Sequence, residues 1–176
     1  MAKNEQISLK PQDVVVLFKL ILLREKPFTY SMVGHDLFIS ASESHASISR
    51  LSIARLVFFE ESRPYVNKSS FEEFIFHGAK YSFPATTGGP TLGIVTSYAA
   101  EPLASHISQS DSLPPVWPSP DGSVQGLAFY PLYPSVPKAA KADSLLCEVL
   151  SLFDAVRGGA AREREIARDL INERCL

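Results

Sequence analysis

Residues 11–24, PQDVVVLFKLILLR, limit the fold more than any other stretch of the chain. Nine of the ten side chains at 14–23 are apolar, and the tenth is Lys19. Pro11 suits the first position of a helix, so the spacing predicts helix one over 11–24. That helix is apolar nearly all round, and a helix with no polar face must be covered on several sides. The run is about half the length needed to span a bilayer. It therefore belongs at the centre of a water-soluble fold, with partners beyond its immediate neighbours in sequence.

The chain has 176 residues, 45% hydrophobic and 20% charged, enough for one domain with elaborations. A net charge of −2 excludes a polybasic protein that coats nucleic acid by charge alone. Cys147 and Cys175 fit no metal or redox spacing, which points to free thiols in a reducing compartment. The polar N-terminus has no signal-peptide pattern, so a cytoplasmic protein with no membrane partner is expected.

Charge divides the chain into three parts. Residues 81–137 carry no Lys or Arg and ten of the thirteen prolines, whereas 1–80 and 138–176 are rich in both signs. The expected architecture is mostly α with a small β-wing. A first domain at 1–80 is followed by a proline-rich arm at 81–137 and a C-terminal helical hairpin at 138–176.

Within 1–80, Thr29 caps a second helix over 30–38. Ser40 and Glu43 form a capping box for a third helix over 41–54, with Ser44, Ile48 and Leu51 inward. Two short strands, 57–59 and 65–66, flank residues 60–64. Ser70 with Glu73 signals a fourth helix with Phe71, Phe74 and Ile75 on one face, ending near Gly78. In the arm, Pro120-Asp121-Gly122 marks a turn, with Val124, Leu127 and Phe129 returning as a strand of a possible β-hairpin. Gly88-Gly89-Pro90-Thr91-Leu92-Gly93 lacks the Gly-Lys-Ser/Thr of a phosphate loop and reads as a turn. In the last part Leu145, Val149, Phe153 and Val156 form a stripe, and Gly158-Gly159 separates it from a charged helix containing Ile166, Leu170 and Ile171.

A short helix, a tight turn and a capped helix make a helix-turn-helix, which braces the second helix so that its N-terminal residues enter a major groove. Residues 29–57 resemble winged helix-turn-helix regulators of the MarR-like kind. The residues that carry the likeness are Thr29, Leu37-Phe38-Ile39-Ser40, Ile48, Leu51 and Arg55-Leu56-Val57. Phe38 and Arg55 stand where that pattern has glycine, at positions that favour positive φ. The likeness implies a bacterial transcription regulator, a repressor by preference, that acts as a homodimer on double-stranded DNA.

The candidate DNA-binding residues are Ser42, His45, Ala46, Ser49 and Arg50 on the outer face of helix three, with Arg63 at the tip of the wing. Lys26 and Lys68 are flanking cations. The apolar helix one and the C-terminal hairpin are each incomplete alone. Burying them together across a two-fold axis, with the hairpin as the dimerisation element, is the expected arrangement, and burial inside one subunit is the alternative.

Two other readings stay open. One is a protein-interaction module, antitoxin-like or an adaptor, that docks a protein partner through the proline-rich arm and Trp117. The other is an effector-gated repressor with its ligand between the arm and the dimer helices. The four histidines share no ligand spacing, and no nucleophile–base pair or cofactor fingerprint occurs, so no metal, cofactor or catalysis is expected.

Overall fold

The computed structural model describes residues 8–24, 26–108 and 112–176, and the protein is mostly helical with two small sheets. Helix α1 (Pro11–Leu23) is the centre, with Val14 through Phe18 all at most 2% exposed. Around it pack α3 (Ala41–Ile53), strand β2 (Arg63–Val66) and the long C-terminal helices α7 (Ser144–Gly158) and α8 (Ala161–Cys175). The Phe18 ring lies 5.5 Å from Phe71 and 5.3 Å from Phe153, so one side chain joins the first and last parts of the chain. The apolar faces of α1 and the C-terminal helices thus bury each other within a single chain, which is the alternative to the expected burial across a two-fold axis.

Local signals account for the first part. Thr29 Oγ1 accepts from Met32 N–H at 3.1 Å and starts α2 (Tyr30–Leu37). Ser40 Oγ accepts from Glu43 N–H at 3.1 Å and starts α3. Strand β1 (Val57–Glu60) pairs antiparallel with β2, Glu60 facing Arg63 across the turn. The next helix begins earlier than the Ser70–Glu73 signal predicts. Asn67 Oδ1 accepts from Ser70 N–H at 3.2 Å and caps α4 (Lys68–Glu73), which runs on through a π-turn (Phe74–Gly78) into α5 (Ala79–Ser82).

The middle part departs most from the sequence reading. The Gly88–Gly93 segment is not a turn but lies in strand β3 (Thr87–Val95). Strands β4 (Pro115–Pro118) and β5 (Val124–Phe129) do not form a hairpin. Both run antiparallel to β3 and parallel to each other, closing a three-stranded sheet. The turn between them crosses directly over β3 at Gly93, which pairs with Pro118 on one side and Val124 on the other. A Cβ on Gly122 would collide with the Gly93 backbone, and one on Gly93 with the Trp117 carbonyl. Close backbone approach is therefore what requires glycine at both positions.

This sheet is fastened to the helices by a buried carboxylate. Asp154 on α7 accepts from Trp117 Nε1 at 2.6 Å and Thr96 Oγ1 at 2.8 Å, and pairs with Arg157 at 2.6 Å. Burial pushes the Asp154 carboxyl up, against the pull of Arg157, Trp117 and Thr96. Trp117 is 1% exposed, so the arm does not offer it to a partner. On α7 the buried stripe is Leu146, Val149, Leu150 and Phe153, whereas the expected Leu145 is 41% exposed.

Lys19, the one charge in the apolar run, is 2.9 Å from both Asp36 on α2 and Asp143. Asp143 ends α6 (Val136–Ala142) and caps α7 through Leu146 N–H at 3.0 Å. Burial works against both charges and is outweighed. The hydrogen bonds to Asp36 and Asp143 hold Lys19 above its usual pKa, while Leu146 N–H and Lys19 hold Asp143 below its own. Asp143 therefore stabilises the fold above the unfolded carboxyl pKa of about 3.9 and loses that effect as pH falls through its lower folded value. The lysine contribution is complete below 10.5 and lost above it.

Two measurements follow from these contacts. Gly122→Ala is expected to cost about 3 kcal/mol in urea unfolding, because two backbones must separate. Lys19→Met is expected to cost about 2–4 kcal/mol at pH 7, since it leaves two neighbouring carboxylates unpaired. Its deficit relative to wild type should narrow as pH falls below about 3.9 and through the lowered pKa of Asp143. A deficit constant across that range would remove Lys19 from its assigned role.

Candidate nucleic-acid interface

The joint between α2 and α3 sets how α3 is presented. Phe38 closes α2 in the left-handed region, φ 54° and ψ 43°, and its cation partner Lys138 lies 4.3 Å from the ring. Ile39 N–H then donates to the Gly34 carbonyl at 2.9 Å. A Cβ on Gly34 would stand 2.9 Å from the Ile39 oxygen, so the tight turn needs its small residue there rather than at Phe38. Arg55, just after α3, also has positive φ, at 60°. Both positions keep the backbone that glycine favours while carrying bulky side chains.

The six candidate residues separate into two groups. Ser42, His45 and Ser49 are exposed on one side of α3, with Ala46 half-buried among them. The His45 ring meets Tyr30 edge-on at 4.8 Å. Tyr30 also lines a cleft of about 340 Å³ shared with Thr29, Ser62 and Arg63. Arg63 lies against the Tyr65 ring at 5.2 Å. Five of the six residues therefore border one continuous surface, running from α3 over Tyr30 to the hairpin. The sequence reading missed Tyr30, although its place as first residue of α2 puts it beside the hairpin tip.

Arg50 is the exception, and corrects the expectation that it faces outward. Its guanidinium bonds Asp13 through two N–H groups, at 2.9 and 2.7 Å, and Asp13 is fully buried. A further N–H reaches Glu43 at 2.6 Å and Ser47 Oγ at 3.1 Å. Asp13 also accepts from Lys10 N–H at 2.8 Å at the start of α1. Glu43 does not complete the predicted capping box. Arg50 first and Gln12 second hold its carboxyl below the ordinary range. The Asp13 carboxylate in turn raises the Arg50 pKa well above its usual value.

The outer face of α3 thus offers hydroxyl and imidazole groups and little charge. The cations beside it are Arg55 and Arg63, and the exposed acids Glu60 and Glu61 lie on the hairpin. Among the described residues no cluster of histidine, cysteine and acid side chains is arranged to hold a metal, and no helix is long and apolar enough to cross a membrane. The chain matches no family model, no curated protein and no solved structure.

Arg50→Ala and Asp13→Ala are each expected to destabilise the protein by about 3–5 kcal/mol, because each strands a buried partner. The double variant should cost less than their sum by at least about 1 kcal/mol. Additive losses in urea titrations would show that the clamp carries no coupling.

Proposed function

We propose that this protein is a winged helix-turn-helix regulator that binds double-stranded DNA with the outer face of α3 as its reading surface. The observation that carries the proposal is the two-sided character of α3. Its inner side is fixed to α1 by Asp13 and Arg50, while Ser42, His45 and Ser49 remain exposed on the other. A rigid helix with an accessible polar face, next to a hairpin bearing Arg63, has the form that enters a major groove while the hairpin follows the backbone. Serine and histidine supply hydrogen bonds to base edges, and Arg55 and Arg63 supply phosphate contacts.

Arg50 is turned to Asp13 and Glu43 and supplies no phosphate contact. About two or three contacts per subunit predict a shallow salt dependence, with a log–log slope of about −2 to −3. The test is selection of genomic DNA fragments on the purified protein at low and physiological salt, with sequencing of what remains bound. An enriched motif that survives physiological salt supports the proposal, and the spacing of any half-sites gives the oligomeric state. His45→Ala with Ser49→Ala should then weaken binding tenfold to a hundredfold, about 1.4–2.7 kcal/mol for the two together. No retention even at low salt sinks the reading.

Protein docking is favoured by a different surface from the arm. Ile53, Phe58 and Phe59 are 58%, 42% and 45% exposed at the end of α3 and along β1. Under that reading Phe58→Ser with Phe59→Ser abolishes partner binding, and the α3 substitutions leave it intact.

A further inference from the structure

A second site lies on the other side of the hairpin. Between the end of α1, strand β2 and the end of α8 is a cleft of about 750 Å³, the size of a small-molecule pocket. Its apolar walls come from Leu20 and Ile21 on α1 and from Pro64 and Tyr65 on β2. Cys175 closes one end, and burial pushes its thiol up to about 12, so it adds no anion at neutral pH.

The charged side chains around this cleft are of one sign among its described lining residues. They are Arg24, Lys26 and Lys68, and all three are exposed. They come from the end of α1, the loop after it and the start of α4, and they converge only in the folded chain. Lys68 donates to the Leu176 main-chain oxygen at 2.9 Å, so a ligand head that uses this lysine takes the place of an acceptor already at the cleft.

We propose that this cleft binds an amphipathic carboxylate, with its apolar body against Leu20, Ile21, Pro64 and Tyr65 and its head among Arg24, Lys26 and Lys68. Walls and rim select different parts of one molecule. The walls gain from apolar area removed from water, which a bare phosphate or sulfate does not provide. The cations gain from a carboxylate, which an alcohol of the same length does not provide. A molecule seated there touches α1, the hairpin and the end of α8 together. The site stands independently of DNA binding, since its ligand is recognised by residues outside the α3 face.

The test uses octanoate as the probe, with 1-octanol and inorganic phosphate as the two halves of its chemistry, read by thermal melting and by isothermal titration. Octanoate at about 100 times its Kd should raise Tm by about 5–10 °C, with little or no shift from octanol or phosphate at the same concentration. Lys26→Met and Lys68→Met, both at exposed positions, should keep the ligand-free Tm and weaken octanoate binding at least tenfold when combined. Equal shifts from octanoate and octanol would reduce the site to an apolar cleft and overturn the proposal. Equal shifts from octanoate and phosphate, or unchanged octanoate affinity in the double variant, would overturn it as well.

Discussion

Burial of α1 on every side is the constraint from which the placement of the other elements follows. A helix with Val, Leu, Phe and Ile around most of its circumference leaves no face for water. Each neighbour is therefore positioned by the side it covers: α3 and β2 from the first part of the chain, α7 and α8 from the last. Phe18, held between Phe71 and Phe153, shows why the C-terminal helices are not an appendage. Without them the centre of the α1–α3 unit would face solvent, at a cost of about 1.5–3 kcal/mol for each large side chain exposed.

Apolar contact is non-directional, so it does not by itself fix how α1 is rotated or how far it slides. The buried ions supply that information. Asp13 meets Arg50 on α3, and Lys19 meets Asp36 and Asp143 toward α2 and α7. Six residues apart, the two charges lie about 120° from each other around the helix. One rotation of α1 satisfies both. Asp154 does the same for the small sheet, since its bonds to Trp117 and Thr96 fix where the sheet sits on α7. The net stability of such pairs is small beside the cost of breaking one, and their effect here is to select one arrangement of a greasy core.

What the sequence made legible follows the range of the interactions concerned. Caps at Thr29 and Ser40 act over three residues, and both stand where the pattern put them. The positive φ expected at positions 38 and 55 is present at both despite Phe and Arg, because helix ends demand that geometry locally. Arg50 shows where local reasoning stops. Helical spacing alone places it outward, and the carboxylate that turns it inward is 37 residues earlier. The crossing of Gly122 over Gly93 was equally hidden, since a Pro-Asp-Gly turn reads the same whether its strands pair or straddle a third. On α7, Leu145 and Leu146 are adjacent and equally apolar, so only packing against α1 and α6 chooses between them.

The Arg50 clamp also sets what the outer face of α3 presents. A free arginine on that face would draw phosphate, and a free Glu43 would repel it. Arg50 is shared by Asp13 and Glu43, so it adds no free positive charge to that face and the clamp as a whole draws no phosphate. What remains is a rigid, nearly neutral row of Ser42, His45, Ala46 and Ser49 flanked by Arg55 and Arg63. On the DNA-binding reading, attraction then comes from the flanks and discrimination from the centre. A surface built this way gains little from non-specific charge, so the gap between right and wrong sequences has to come from hydrogen bonds that only the right base edges complete.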